Sequence, residues 1–179
     1  MNRKDLIQSL ENYSSPYPEE QHFRNQFLEL LTAANAFQRT HLPGHITGSA
    51  WIVSDDASKA LLVHHAKLNK WVQPGGHADG DENILAVALR EAEEETGLSN
   101  FKIESSIFDI DIHTIPARND FPEHQHYDIR FLLRANEDEP VLVSEESHDV
   151  KWIPMDQLKN YTTERSVLRM SEKLAQKSH

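Results

Sequence analysis

One segment constrains the fold more than any other: Gly75–Leu98, which reads GGHADGDENILAVALREAEEETGL. At about 100° of rotation per residue, residues 84–96 predict an amphipathic helix. Its apolar arc consists of Ile84, Leu85, Ala88, Leu89 and Ala92. Such an arc has to be buried against another layer of the protein, and the glycines ahead of it predict a tight turn into the helix.

The same helical wheel separates the glutamates that crowd this segment. Glu93 falls on the solvent face. Glu91, Glu94 and Glu95 fall on the edge of the apolar arc, and the last of them leans into it. Like charges at these spacings cost about 0.2–0.5 kcal/mol per pair, and partial burial raises the cost unless a cation is present. The wheel therefore predicts a bound cation, and a fully solvated acidic face is the simpler alternative.

The loop before the helix supplies further oxygen atoms. Gly75 and Gly76 leave a bare carbonyl group, and Glu82 lies just ahead of the apolar arc. Hard divalent cations such as Mg²⁺ take carboxylates, a backbone carbonyl and waters, and substrate phosphates complete the shell. A site for such a cation accounts for the loop as well as for the glutamates.

Patterns on both sides of this segment predict the remaining elements. An N-terminal amphipathic helix is predicted from Phe23, Phe27, Leu30, Leu31, Ala34 and Phe37. Strands are predicted at 46–55, 59–67, 107–115, 126–135 and 148–153. The loop 116–125 would join two of them as an antiparallel pair. Thr162 or Thr163 would cap a closing helix with Val167, Met170, Ser171 and Leu174 on one face. Strands around a central helix, with helices at both ends, predict a mixed α/β layer fold.

Length and composition limit the class of protein. A chain of 179 residues suffices for one domain with a sizeable core. We expect a helical extension (1–44) packed on a domain that spans 45–179 and closes with the C-terminal helix. The net charge of −11 argues against a nucleic-acid partner. No apolar run is long enough for a membrane span, and the lack of a signal-peptide pattern predicts a cytoplasmic protein. Without cysteine, oxygen or histidine must hold any metal.

The segment from Gly76 to Leu98 carries a known pattern. Gly76, five residues, Glu82, seven residues and then REAEEETGL match GX5EX7REUXEEXGU, with U aliphatic, at all nine fixed positions. This pattern is the Nudix box, and on it the chain is identified as a member of the Nudix hydrolase family. The resemblance implies an α/β/α sandwich with a mixed β-sheet over about residues 45–160, preceded here by the N-terminal helical extension. It also implies cleavage of a diphosphate linkage in a nucleoside diphosphate joined to another moiety, by attack of water at phosphorus with Mg²⁺ or Mn²⁺.

The resemblance also implies roles for residues of the box. Glu91, Glu94 and Glu95 would bind the metal, with the carbonyl of Gly75 as a further ligand. Either Glu91 or Glu94 would orient or deprotonate the attacking water.

Two further roles in the box are structural. Arg90 and Glu82 would form an ion pair that fixes the loop against the helix and so serve catalysis. Gly97 would let the chain leave the helix in a left-handed conformation.

Outside the box, an acid and several histidines are candidates for binding the substrate. Family members recruit a further acid from a loop, and Glu145 or Glu146 stands just before a strand, where a solvated loop is the alternative. His113 and His126 share parity on consecutive strands, so they are predicted to be neighbours on one sheet face. With His77 and His124 they would bind phosphate or an extra metal. The alternative is that these histidines are polar residues on a wet sheet face.

Other functions are compatible with the fold. An enzyme resembling isopentenyl diphosphate isomerase would need a cysteine, which this chain lacks. A non-catalytic nucleotide-binding Nudix module often loses box carboxylates, whereas this box is complete. The segments GHITGSAWIV, KWVQPGGHAD and HQHYDIRFLL resemble bacterial Nudix proteins of unassigned function. The predicted partner is therefore a small nucleotide-like molecule, in a protein that could form a homodimer.

Overall fold

A computed structural model describes residues 1–118 and 121–177 of the chain. The helices are α1 (Arg3–Glu11), α2 (Pro18–Leu30), α3 (Ile84–Thr96) and α4 (Arg165–Lys177), with a short 3₁₀ helix at Met155–Asn160. The strands are β1 (Gly44–Ser54), β2 (Lys59–His65), β3 (Lys70–Val72), β4 (Gly75–His77), β5 (Lys102–Ile115), β6 (His124–Ala135) and β7 (Ser147–Pro154). Asn119 and Asp120 of the predicted loop, and Ser178 and His179 at the end of the predicted domain, lie outside the described residues.

All the strands belong to one mixed sheet. Its order is β3-β2-β1-β6-β5, while β4 pairs with β1 and β7 pairs with β2. The β1–β6 pair is parallel along its whole length, from Gly44 opposite Gln125 to Ser54 opposite Ala135. The predicted antiparallel pairing of β5 with β6 is confirmed. Every residue of β1 is buried, as expected for a central strand that is covered on both faces.

Helices cover both faces of the sheet. On one face, α1, α2 and α3 enclose an apolar core around Phe27, Ile46 and Phe131. On the other face, α4 and the 3₁₀ helix pack on Trp51 and Leu132. These layers confirm the predicted α/β/α sandwich with a mixed sheet.

The N-terminal region differs from its prediction. The structure has two helices there, and α2 ends at Leu30 instead of continuing to Phe37. Its last turn tightens, because Thr32 and Ala33 donate to carbonyl groups only three residues back. Ala34 is exposed, against the prediction, whereas Phe37 reaches the core from the turns that follow.

The C-terminal helix follows its predicted pattern closely. Val167, Met170 and Leu174 are buried against the sheet. The hydroxyl of Thr162 accepts a hydrogen bond of 3.2 Å from the backbone N–H of Glu164, just before the helix begins. Within residues 1–118 and 121–177, no helix has the length and apolar content needed to cross a bilayer.

Candidate active site

The loop at Gly75 and Gly76, called the glycine loop below, contacts α3, the helix that carries the glutamates. Gly76 lies in β4, and a Cβ atom at this position would lie 2.5 Å from Cδ of Glu91. Gly75 donates its backbone N–H to Oε1 of Glu95 at 3.2 Å. Only glycine lets the backbone come this close to the Glu91 carboxylate, which explains why the box begins with this residue type.

The acidic groups at this contact lie in a dry environment that opposes their ionisation. Glu95 is 6% exposed, and burial raises its pKa to about 8, against the N–H of Gly75, which lowers it. Burial also raises the pKa of Glu91, while the hydrogen bond from Arg90 opposes that change. The other acids, including Glu146, raise both pKa values further. Acidic groups are therefore crowded here without enough neighbouring positive charge to keep all of them ionised, and a bound cation would favour their charged forms.

Glu94 lies on a different part of the helix surface from its prediction. Its side chain is 63% exposed, compared with 16% for Glu91. The buried arc contains Val87 and Glu95 and leaves Leu89 only half-buried, so it is rotated relative to the predicted arc. That rotation turns Glu94 toward solvent, and the prediction that it faces partly inward is wrong.

The predicted ion pair between Arg90 and Glu82 is also wrong. The structure pairs Glu82 with Arg3 of α1, whose Nε donates to Oε1 at 2.9 Å. Arg90 instead donates from Nη2 to the carbonyl of His77 and to Oε1 of Glu91, each at 3.0 Å. The box loop is thus fixed from two sides, by α3 and by the N-terminal extension.

Arg3 also binds the turns that follow α2. Its guanidinium donates to the carbonyl groups of Ala33 at 2.9 Å and Ala34 at 2.7 Å. It lies over the ring of Phe37, 5.1 Å from the ring centroid. One side chain therefore joins α1, the turns after α2 and the box loop.

Glu146 lies in the turn that leads into β7. Its backbone carbonyl accepts a hydrogen bond from Ala66, which holds the turn against the end of β2. Its charge acts on Glu91 and Glu95, as their pKa values show. The side chain itself is exposed, and its role remains a prediction.

The histidines form a row across three strands. His113 is paired with His126 in the β5–β6 ladder, as predicted, and His126 is paired with His45 in the β6–β1 ladder. The rings of His77 and His124 complete the group, with centroids 4.9 Å and 5.1 Å from that of His126. We call these five residues the histidine cluster.

His45 belongs to this cluster but was missing from the prediction. The strand was predicted to begin one residue later, and a parallel partner distant in the chain leaves no local pattern. His45 is 1% exposed. Burial lowers the pKa of His45, of His77 to about 4 and of His126 to about 2, so these rings are neutral at pH 7.

The sheet face that carries this cluster continues into a buried polar region. Asp109, Asp128 and Arg130 continue the same face and are almost fully buried, and α4 contacts two of them, Asp109 and Arg130. Arg169 of α4 donates to both carboxylate oxygens of Asp109, at 3.0 Å and 2.8 Å. Asp111 connects the two regions, with Oδ2 3.2 Å from Nδ1 of His113.

Comparison of the chain with known proteins agrees with this fold and with the Nudix box. The chain matches the family model described as NUDIX domain over residues 44–172, and it therefore belongs to the Nudix hydrolase family. A probable DHNTP pyrophosphohydrolase of Lactococcus lactis subsp. cremoris is 28% identical over 141 residues, covering 78% of this chain and 83% of that protein.

Solved structures are similar as well. The MutT protein from Methanosarcina mazei Go1 has a TM-score of 0.60 at 21% identity, over 76% of this chain and 96% of that chain. The MutT NUDIX hydrolase from Burkholderia pseudomallei has a TM-score of 0.55 at 26% identity, over 73% and 97%. These likenesses support the architecture described above.

Proposed function

We propose that the chain is a Mg²⁺- or Mn²⁺-dependent Nudix pyrophosphohydrolase. It would use water to cleave a diphosphate linkage in a nucleoside diphosphate joined to another moiety. The observation that carries this proposal is the contact of the glycine loop with Glu91 and Glu95, where buried acids exceed the cations beside them. A protein of this family that concentrates carboxylates in this way has the charge to hold a divalent ion.

The donor set fits a hard cation. Glu91, Glu94, Glu95 and the carbonyl of Gly75 would supply oxygen ligands, which Mg²⁺ and Mn²⁺ prefer. When bound, the ion would neutralise phosphate charge and activate water. Glu146 would add a further acid from the β7 side.

The chain's own residues position the reacting groups. Arg90 donates both to the Glu91 carboxylate and to the carbonyl of His77. These two bonds fix the position of the carboxylate relative to the glycine loop. Glu91, half-buried and fixed, and Glu94, exposed on the next turn, are the two candidates that orient or deprotonate water. Glu82 acts through Arg3, because that ion pair anchors the loop.

The substrate is proposed as a small nucleotide-like molecule. The name of the Lactococcus relative supports adding DHNTP to a panel of nucleoside triphosphates, nucleotide sugars, ADP-ribose and dinucleotides. His77, His113 and His126 lie on the sheet face beside the glycine loop, where they would contact the substrate directly or through a bound ion. A cytoplasmic location and a homodimer remain predictions, and gel filtration with light scattering tests the latter.

The test is hydrolysis of this panel with and without Mg²⁺ or Mn²⁺. Glu91→Gln and Glu94→Gln are compared with Glu93→Gln, whose carboxylate is exposed on the same helix. Loss of the general base costs about 10²–10⁴-fold in rate, so the larger loss identifies the base. The Glu93 variant should keep its activity.

Two outcomes would contradict the proposal. Binding of a panel member without any turnover in either metal would indicate a non-catalytic nucleotide-binding module. Equal losses in all three variants would show that the carboxylates act through folding and not through chemistry.

A further inference from the structure

We propose that His45, His77 and His126 form a binding site for a divalent d-block cation, of which Zn²⁺ is the representative, with His124 as the fourth ligand. This site is separate from the carboxylates of the box. It does not depend on the proposed hydrolase activity, because it rests on the geometry of the histidine cluster alone.

The distances suit one ion. One ring nitrogen from each of His45, His77 and His126 can be chosen so that all three lie within 4.8 Å of one another. The Nε2 atoms of His124 and His126 are 3.3 Å apart. Two nitrogen ligands of a tetrahedral Zn²⁺ at its usual bond length are separated by about 3.3–3.4 Å. This pair therefore already has the spacing of two ligands of one ion.

Hydrogen bonds behind the rings direct lone pairs into the cluster. Nδ1 of His45 lies 3.3 Å from the carbonyl oxygen of His41, and Nδ1 of His124 lies 2.9 Å from that of Pro122. A carbonyl oxygen only accepts, so each Nδ1 is the donor, and Nε2 of the neutral ring presents its lone pair to the cluster. Backbone or carboxylate partners on the second nitrogen are typical of metal-bound histidines.

His45 provides an independent observation. It is 1% exposed, and within the described residues its Nε2 is buried without a hydrogen-bond partner. An orphaned acceptor of this kind is costly to bury, and a coordinated cation would satisfy it.

The chemistry favours a cation over a phosphate group. A phosphate group needs hydrogen-bond donors, whereas the carbonyl partners on Nδ1 of His45 and His124 leave their Nε2 atoms as acceptors. Imidazole nitrogen suits Zn²⁺ and its neighbours, while Mg²⁺ prefers oxygen. The two sites would therefore select different ions, although His77 directly follows the glycine loop of the box.

A bound ion would also cross-link the sheet. His45 is in β1, His77 in β4 and His126 in β6, so one cation would join three strands at the end of the sheet where the glycine loop enters. It would fix the position of β4, on which the contact with Glu91 depends.

The experiment uses the untagged full-length protein after removal of metal with EDTA. Equilibrium dialysis against Zn²⁺ measures stoichiometry and affinity, and Co²⁺ absorption reports the ligand geometry. His77→Gln and His126→Gln remove ligands, His22→Gln is the matched control on the outer face of α2, and Glu91→Gln removes an acid of the box. We expect one ion per chain, with tetrahedral Co²⁺ bands. The affinity should fall in both cluster variants by more than the roughly 10–100-fold that loss of an outer-shell partner costs.

The controls separate this site from the proposed activity. His22→Gln and Glu91→Gln should bind Zn²⁺ like the parent protein, even if Glu91→Gln abolishes hydrolysis or if no hydrolysis is found. A cluster variant whose metal-free melting temperature falls is replaced by His124→Gln, for which the same loss of affinity is expected. Absence of Zn²⁺ binding, or full affinity in both folded cluster variants, would overturn the proposal. So would binding of inorganic phosphate by the metal-free protein that is lost in His126→Gln.

Discussion

The ion pair between Arg3 and Glu82 gives the sharpest test of the structure, because the family resemblance predicts a different partner for Glu82. Two double-mutant cycles compare the pairs. One combines Arg3→Met with Glu82→Gln, and the other combines Arg90→Met with Glu82→Gln. A coupling free energy of unfolding appears only for residues that interact, since distant sites add.

The structure sets the expected magnitudes. Arg3 and Glu82 are 22% and 43% exposed at a contact of 2.9 Å, so their coupling should approach the upper end of the surface range, about 0.5–1 kcal/mol. The coupling of Arg90 with Glu82 should fall within about 0.3 kcal/mol of zero. Arg3→Met alone should cost more, about 2–3 kcal/mol, because its bonds to the carbonyls of Ala33 and Ala34 are lost as well.

Urea unfolding at pH 7, followed by tryptophan fluorescence, measures all the variants. Raising the salt concentration from about 0.05 M to about 0.5 M should reduce the Arg3–Glu82 coupling, since the pair is partly solvated. The single cost of Arg3→Met should persist, because most of it comes from hydrogen bonds to backbone. A larger coupling for Arg90 with Glu82 than for Arg3 with Glu82 would refute the pairing that the structure shows.

The remaining predictions concern three single positions. Gly97 has φ of 75°, so Gly97→Ala should cost about 1–2 kcal/mol in urea unfolding. Burial opposes ionisation of Asp109, but Arg169, Arg130 and Lys173 hold its pKa below the ordinary value of 3.8. Its contribution to stability is thus present above pH 3.8 and lost as the pH falls through the lower pKa. Asp109→Asn should lose about 3–5 kcal/mol at pH 7 and less in acid. For Glu95 the folded pKa, about 8, exceeds the ordinary 4.5, so stability in EDTA should fall as the pH rises across that window. Glu95→Gln should remove this fall in thermal melts, while an unchanged slope would contradict the burial of the carboxylate.

Local patterns were sufficient at two places where neighbours in the chain determine the structure. The left-handed conformation of Gly97 follows from its position after the last helical residue, and it is confirmed. The pairing of His113 with His126 follows from strand parity across one antiparallel connection, and it is confirmed as well. In both cases the interacting groups are close in sequence or are joined by a single loop.

Contacts between distant segments could not be predicted in this way. Arg3 and Glu82 are held together by the docking of α1, and no periodicity links them. His45 lies opposite His126 through a parallel ladder, whose register depends on the whole sheet. The orientation of Glu94 was wrong for a different reason, because the predicted arc included Leu85 and Leu89, which are only half-buried, and omitted Val87, which is buried.

The parallel ladder between β1 and β6 also determines when the chain can fold into its active structure during synthesis. β1 is made early, yet the partner that covers one of its edges is made only after α3 and β5. Until then the nascent chain carries every residue of the box but lacks the complete sheet that buries the apolar arc of α3. Distant contacts of this kind slow folding, and unpaired strand edges expose a chain to aggregation. We therefore expect a ribosome-bound chain that stops before Ala135 to resist folding, whereas release of β6 from the exit tunnel should allow the core and the glutamate site to form together.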